Sequence, residues 1–170
     1  MCQVDVRMAK ATESRELAGV VNSAYRPQNG EGGWTHESGL VSGQRVEIDQ
    51  VEKAINNSIV LVGVHKSAIV ACVQIQRKGT EAYIGMLAVE PTLQRSGVGK
   101  CMLSAAESYA AARGATEFKM LVISARTELI EFYRRRGYGE TGEIVAYPHD
   151  AGAGVPMVEG LGVVTLRKLL

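Results

Sequence analysis

The stretch Val89-Glu90-Pro91-Thr92-Leu93-Gln94-Arg95-Ser96-Gly97-Val98-Gly99-Lys100 decides how the chain is read. Before it, Glu81 to Val89 has the composition of a strand, and Pro91 stops that strand because it lacks an N–H for the ladder. After it, Val98, Met102, Ala105, Ala106 and Tyr109 recur on one face of a helix that runs from Gly97 to Arg113 and is ended by Gly114. A strand thus passes through a glycine-rich turn into a helix start. The N–H groups at such a start have no partners within the helix and carry the positive end of its dipole, which suits a pyrophosphate. Gly97 and Gly99 let the backbone approach the phosphates without an intervening Cβ, and Arg95 and Lys100 add positive charge.

Spacing excludes two other phosphate motifs. The nucleotide P-loop needs a glycine five residues before its Gly-Lys pair and Ser or Thr after it, whereas Gly99-Lys100 has Gln94 upstream and Cys101 downstream. The dinucleotide fingerprint needs a third glycine where Met102 stands.

Working outward, Ile59 to Val64 and Ala68 to Gln76 read as strands that precede the one at 81–89, and the short links between them force antiparallel neighbours. Val4, Val6 and Met8 alternate with Asp5 and Arg7 as in a half-buried strand. Thr12 can cap a helix that carries Leu17, Val20, Val21 and Ala24, and Ile48, Val51 and Ile55 predict a second helix that ends near Asn56-Asn57. The Gly-rich segment from Pro27 to Gly43 reads as an ordered loop. Beyond Gly114, a strand with Phe118, Met120 and Val122 leads to a helix with Leu129, Ile130, Phe132 and Tyr133. A strand near 138–147, a Gly- and Pro-rich excursion and a last strand near 162–169 follow. The expectation is one α/β domain over residues 1–170, a mixed and mostly antiparallel sheet flanked by helices.

Composition agrees with an ordinary globular domain of 170 residues, 46% hydrophobic and 22% charged. A net charge of +1 and nine aromatic residues argue against a nucleic-acid partner. Cys2, Cys72 and Cys101 are too few and too widely spaced for a disulfide framework or a closed zinc site, so no metal and a reducing compartment are expected. No signal peptide is evident, and no apolar run approaches the roughly 20 residues of a membrane helix. A cytoplasmic protein with no membrane partner is expected.

Gln94, Gly97 and Gly99 match motif A of the GNAT superfamily of N-acetyltransferases: Gln or Arg, two variable residues, Gly, one variable residue, then Gly or Ala. Tyr83 to Pro91 resembles the family's fourth strand, and Arg126 to Tyr138 resembles its motif B. The resemblance implies an acyl-coenzyme A N-acyltransferase fold and acetyl-coenzyme A as the acyl donor. It implies a pantetheine arm paired with the backbone of Leu87, Ala88 and Val89, which would belong to a strand that bulges and splays from its neighbour. The pyrophosphate would rest near Gln94 on the amides of Arg95, Ser96, Gly97, Val98, Gly99 and Lys100. Motif B departs from the family pattern, because Arg126 and Leu129 stand where Asn and Ala are usual; Arg126 could pair with a phosphate.

Tyr133 keeps the place of the family's tyrosine. Attack of an amine on a thioester expels a thiolate, which a phenol can protonate. If Tyr133 were merely core, its hydroxyl would need another partner. Members that use a glutamate base on the fourth strand carry it where this chain has Tyr83, so Glu81, Glu37 and His36 are the alternative bases. Trp34, Thr35 and His36, with Tyr83, are expected on the acceptor side. There Glu31, Glu37, Glu47 and Asp49 outnumber Arg45, a bias toward a cationic acceptor.

The function expected is transfer of an acetyl group to a primary amine of a small molecule or peptide. A non-catalytic acyl-coenzyme A sensor is the alternative, and a third reading is a different acyl chain or an oxygen nucleophile, since acyl length depends on depth around Leu87 and Ile123. Oligomeric state stays open, a homodimer being one option.

Overall fold

A computed structural model describes residues 2–26, 36–37, 39–148 and 152–170. Its main sheet has seven strands in the order β1 (Asp5–Met8), β3 (Ile59–His65), β4 (Ala68–Lys78), β5 (Glu81–Val89), β6 (Glu117–Ile123), β9 (Gly162–Leu169) and β7 (Gly139–Ala146). Neighbours are antiparallel except β5 and β6. Two strands at the excursions, β2 (Val41–Ser42) and β8 (Val155–Pro156), form a separate small antiparallel sheet.

β3 and β4 are continuous apolar runs because both of their faces are covered. Leu61, Val73 and Ile75 meet α3 (Val98–Ala111) and α4 (Thr127–Arg134) in one core. Val60, Val62 and Cys72 meet α1 (Ser14–Tyr25) and α2 (Ile48–Asn57) in another. Together these features bear out the mixed, mostly antiparallel α/β fold expected from the sequence.

Three details differ from expectation. Thr12 does not cap α1; it lies in a 3-10 turn, Ala11–Glu13, where the Glu13 carboxylate accepts from the Lys10 amide (2.8 Å) and Arg7 (2.7 Å). β1 forms, but of Val4, Val6 and Met8 only Val4, just before the strand, is buried, because a sheet-edge strand leaves the other two uncovered. Cys2 and Cys101 form a disulfide with their Cα atoms 5.8 Å apart. The wide spacing in sequence misleads here, because β1 pairs with β3 beneath α3 and brings the two ends together. Among the described residues no helix is long and apolar enough to cross a membrane.

Candidate active site

β5 pairs with β6 only from Glu81 to Tyr83; beyond that the two parallel strands part. On its other edge β5 shifts register against β4 between Cys72 and Gln74, and Met86 takes a left-handed backbone with φ 50°. For a non-glycine residue this conformation is costly, and a bulge is where such a cost is tolerated. The result is a strand whose edge from Ile84 to Val89 faces a gap instead of β6.

The glycine-rich turn lies at the end of that gap. Gly97 is the N-cap of α3 at φ 90°, a conformation that only glycine adopts cheaply. Among the described residues, none of the amides from 95 to 100 donates to a protein acceptor, and the first helical bond of the turn is Cys101 N–H to the Gly97 carbonyl. Gln94 steadies the turn from below by donating to the Val89 carbonyl (3.0 Å). A cavity of about 600 Å³ opens here, with Arg95, Gly97, Gly99, Lys100, Arg135 and Arg136 at one end and Tyr25, Leu87, Leu129 and Tyr133 at the other. A second cavity, of about 450 Å³, lies across β5 and includes Gln74, Tyr83, Leu121 and Tyr147. The two cavities share Tyr25, Leu87, Leu129 and Tyr133.

Tyr133 is 5% exposed, and its ring meets those of Phe132 (5.2 Å) and Tyr138 (6.0 Å) edge-on. Among the described residues its hydroxyl has no hydrogen-bond partner. Burial raises its pKa above the ordinary phenol value, so the protonated form is held at neutral pH. Tyr25, which sequence reasoning did not single out, donates its hydroxyl to the Leu87 carbonyl at 2.6 Å, and burial pushes its pKa up to about 12. It continues the stripe of Leu17 and Val21 along α1, and only that periodicity could have pointed to it.

The remaining expected site residues are distributed unevenly. Leu87, Val89, Gln94, Arg95, Gly97, Gly99 and Lys100 line the first cavity. Ala88 and Val98 are buried beside it as core residues, and Ser96 is exposed on the turn. Arg126 does not line that cavity; it is 3% exposed and turns to Glu128 (2.6 Å) and Glu37 (3.8 Å). Glu37 lines the second cavity, but Arg26 reaches the same carboxylate oxygen with Nε at 3.2 Å and Nη2 at 2.9 Å. Arg26 also donates to the carbonyls of Gly43 (3.1 Å) and Ala153 (2.7 Å), so this ion pair ties three loops together.

Tyr83 lines the second cavity. Glu81 does not; it sits at the start of β5, about 20 Å along the strand from Leu87 at the usual rise per residue. The Lys119 ammonium, 2.7 Å away, holds the Glu81 carboxyl below the usual carboxylate range. His36 is exposed near Glu128, and Trp34 and Thr35 lie outside the described residues.

The acetyltransferase (GNAT) family model matches residues 20–138. The chain belongs to the GNAT acetyltransferase family. No curated protein matches its sequence. Among solved structures, the ribosomal-protein-S18-alanine N-acetyltransferase of Escherichia coli superposes with a TM-score of 0.72 at 15% identity, over 97% of this chain and 92% of that one. A GNAT family acetyltransferase from Elizabethkingia anophelis with acetyl-CoA bound gives 0.71 at 13% identity, over 99% of each chain. The PaiA N-acetyltransferase of Thermoplasma acidophilum in complex with coenzyme A gives 0.71 at 14%, over 98% of this chain and 99% of that one. At these identities the neighbours bear out the GNAT fold, with the splayed strand pair and the turn before α3 at its centre.

Proposed function

We propose that this GNAT member transfers the acetyl group of acetyl-coenzyme A to a primary amine by direct attack of the amine on the thioester. One observation carries the reading: the two cavities share Tyr133, whose hydroxyl has no protein partner among the described residues.

The residues present suit the donor. Open amides from 95 to 100, with Arg95, Lys100, Arg135 and Arg136 around them, make a cradle for a diphosphate. A Cβ on Gly99 would make only ordinary contacts, with Val89 Cγ2 at 3.7 Å and Phe132 Cζ at 3.8 Å. The edge of β5 at Leu87, Ala88 and Val89 that β6 leaves open, where the Leu87 and Val89 carbonyls accept from the side chains of Tyr25 and Gln94, suits an extended amide-bearing arm. Acetyl-coenzyme A, when bound, supplies an acyl group activated on a thiol leaving group.

Tyr25 fixes the Leu87 carbonyl and with it the local course of β5. Tyr133 gives its phenolic proton to the sulfur as the carbon–sulfur bond breaks, and recovers a proton from solvent afterwards. The proton of the attacking amine leaves to water, because Glu37 is held by Arg26 and Glu81 is remote. Removal of the ammonium from bulk water inside the cavity lowers its pKa and makes this loss easier.

Tyr133→Phe tests the assignment. It should keep acetyl-coenzyme A affinity while lowering turnover about 100-fold or more, the scale of general acid catalysis. A rate near that of the wild type would remove Tyr133 from the mechanism. The engagement of Glu37 favours a second reading, a non-catalytic acyl-coenzyme A sensor, which would bind the donor yet release no thiol with any amine.

A further inference from the structure

We infer that the acceptor is a small primary amine that also carries a carboxylate and an apolar body, the class of the apolar free amino acids, and that Arg45 reads its carboxylate. This deepens the acetyltransferase reading above and rests on it.

Among the described residues, the charged side chains that line the acceptor-side cavity are Glu37 and Arg45. Glu37 is buried at 7% exposure between Arg26 and Arg126, so its negative charge is already balanced within the protein. In a neighbouring cavity that shares Tyr83 and Leu121, Lys119 is offset by Glu81 (2.7 Å) and Glu117 (3.7 Å), and Arg167 by Glu117 (2.6 Å). Arg45 has no carboxylate partner among the described residues, and its guanidinium lies 5.6 Å from the centroid of the Tyr25 ring. The other acidic residues that sequence alone counts toward a cationic acceptor are used elsewhere: Glu47 caps α2 and Asp49 lies 3.9 Å from Lys53. Glu31 lies outside the described residues. Among the described residues the cavity therefore presents one uncompensated positive charge, which repels a polyamine and attracts a carboxylate.

Position and shape narrow the class. The ring that carries Arg45 is that of Tyr25, whose hydroxyl bonds the Leu87 carbonyl at the junction of the two cavities. An anion on Arg45 is thus one aromatic ring away from the place where the amine must attack. The lining also includes apolar side chains, Leu121 at 61% and Val145 at 48% exposure, with Met86 and Val163. Gln74, Gln76 and Tyr83 add neutral hydrogen-bonding groups without changing the sign of the field. A free amino acid with an apolar side chain satisfies the cation, the apolar lining and the junction together.

The test pairs each amino acid with its decarboxylated amine: leucine with 3-methylbutylamine, and phenylalanine with phenethylamine. Thiol release is followed at saturating acetyl-coenzyme A. Wild type should favour the amino acids by about 10- to 100-fold in kcat/KM, the scale of a hydrogen bond to a charged group, with the difference in KM. Arg45→Gln should bring that ratio close to one, and Arg45→Lys should restore part of it. Amines used as well as the amino acids by wild type, or a preference that survives Arg45→Gln, would overturn the inference. If no compound turns over measurably, calorimetric titration of phenylalanine into protein saturated with coenzyme A decides: binding that Arg45→Gln removes supports the inference, and no binding to wild type overturns it. Acetyl-coenzyme A affinity is measured on the same proteins. Its absence in wild type would defeat the acetyltransferase reading itself, whereas its retention in Arg45→Gln shows that the variant is folded.

Discussion

Tyr25 and Tyr133 line the same junction, but only Tyr25 has committed its hydroxyl, to the Leu87 carbonyl. Burial raises the pKa of both phenols. The sign matters for catalysis: a raised pKa keeps the acid form beyond the pH at which an ordinary phenol with pKa 10.0 would lose it. For wild type, kcat should therefore rise as the amine loses its proton and show no descending limb below pH 10. The measurement is kcat against pH with saturating amine, and a falling limb centred below that value would show that a group other than this phenol acts as the acid. Tyr133 is legible in sequence because it stands inside a motif of fixed spacing, Arg126 to Tyr138. Tyr25 and Arg45 are not, since one is the last member of an apolar helical stripe and the other a lone charge in an aperiodic loop; their roles arise from a neighbour 62 positions away in one case and a shared cavity in the other.

At the scale of elements, the informative feature is how β5 hands over to α3. The strands and helices that bury one or both faces are visible in the sequence, since apolar runs at 59–64, 68–76 and 81–89 and the helical stripe from Val98 coincide with observed elements. The short β2 and β8 are not visible, because two-residue strands held by loop contacts leave no period to detect. The bulge at Met86 and the splay after Tyr83 are likewise silent in composition and enter the sequence reading only through the family resemblance. The turn between β5 and α3 carries its own prediction. Gly99 lacks the left-handed backbone of Gly97, and a Cβ there makes only ordinary contacts, so Gly99→Glu should leave the fold intact. Its carboxylate would nevertheless enter the diphosphate cradle, where like charges a few ångströms apart cost enough to weaken binding by about 100-fold or more. Calorimetric titration with acetyl-coenzyme A checks this, and an unchanged affinity would mean that the phosphates rest elsewhere.

For the molecule as a whole, the chain's order in space departs from its order in sequence where β9 enters between β6 and β7, a pairing that local patterns do not encode. The Cys2–Cys101 disulfide belongs to the same class of long-range fact, spanning a sequence separation of 99. Counting cysteines argues against it because a count ignores which ends the sheet brings together. A crosslink over so long a loop restricts the unfolded chain strongly, and the usual contribution of a native bridge is about 2–4 kcal/mol. In a domain of this size that corresponds to a fall in Tm of about 4–16 °C on reduction. Cys72 does not confuse the experiment, since it is buried and its thiol is pushed up to about 12 by burial. Melting curves should therefore shift downward when a thiol reductant is added to wild-type protein. Cys2→Ser should melt at the lower temperature from the outset and respond to the reductant no further. A wild-type Tm that ignores the reductant would mean that the bridge adds nothing to the stability of the fold.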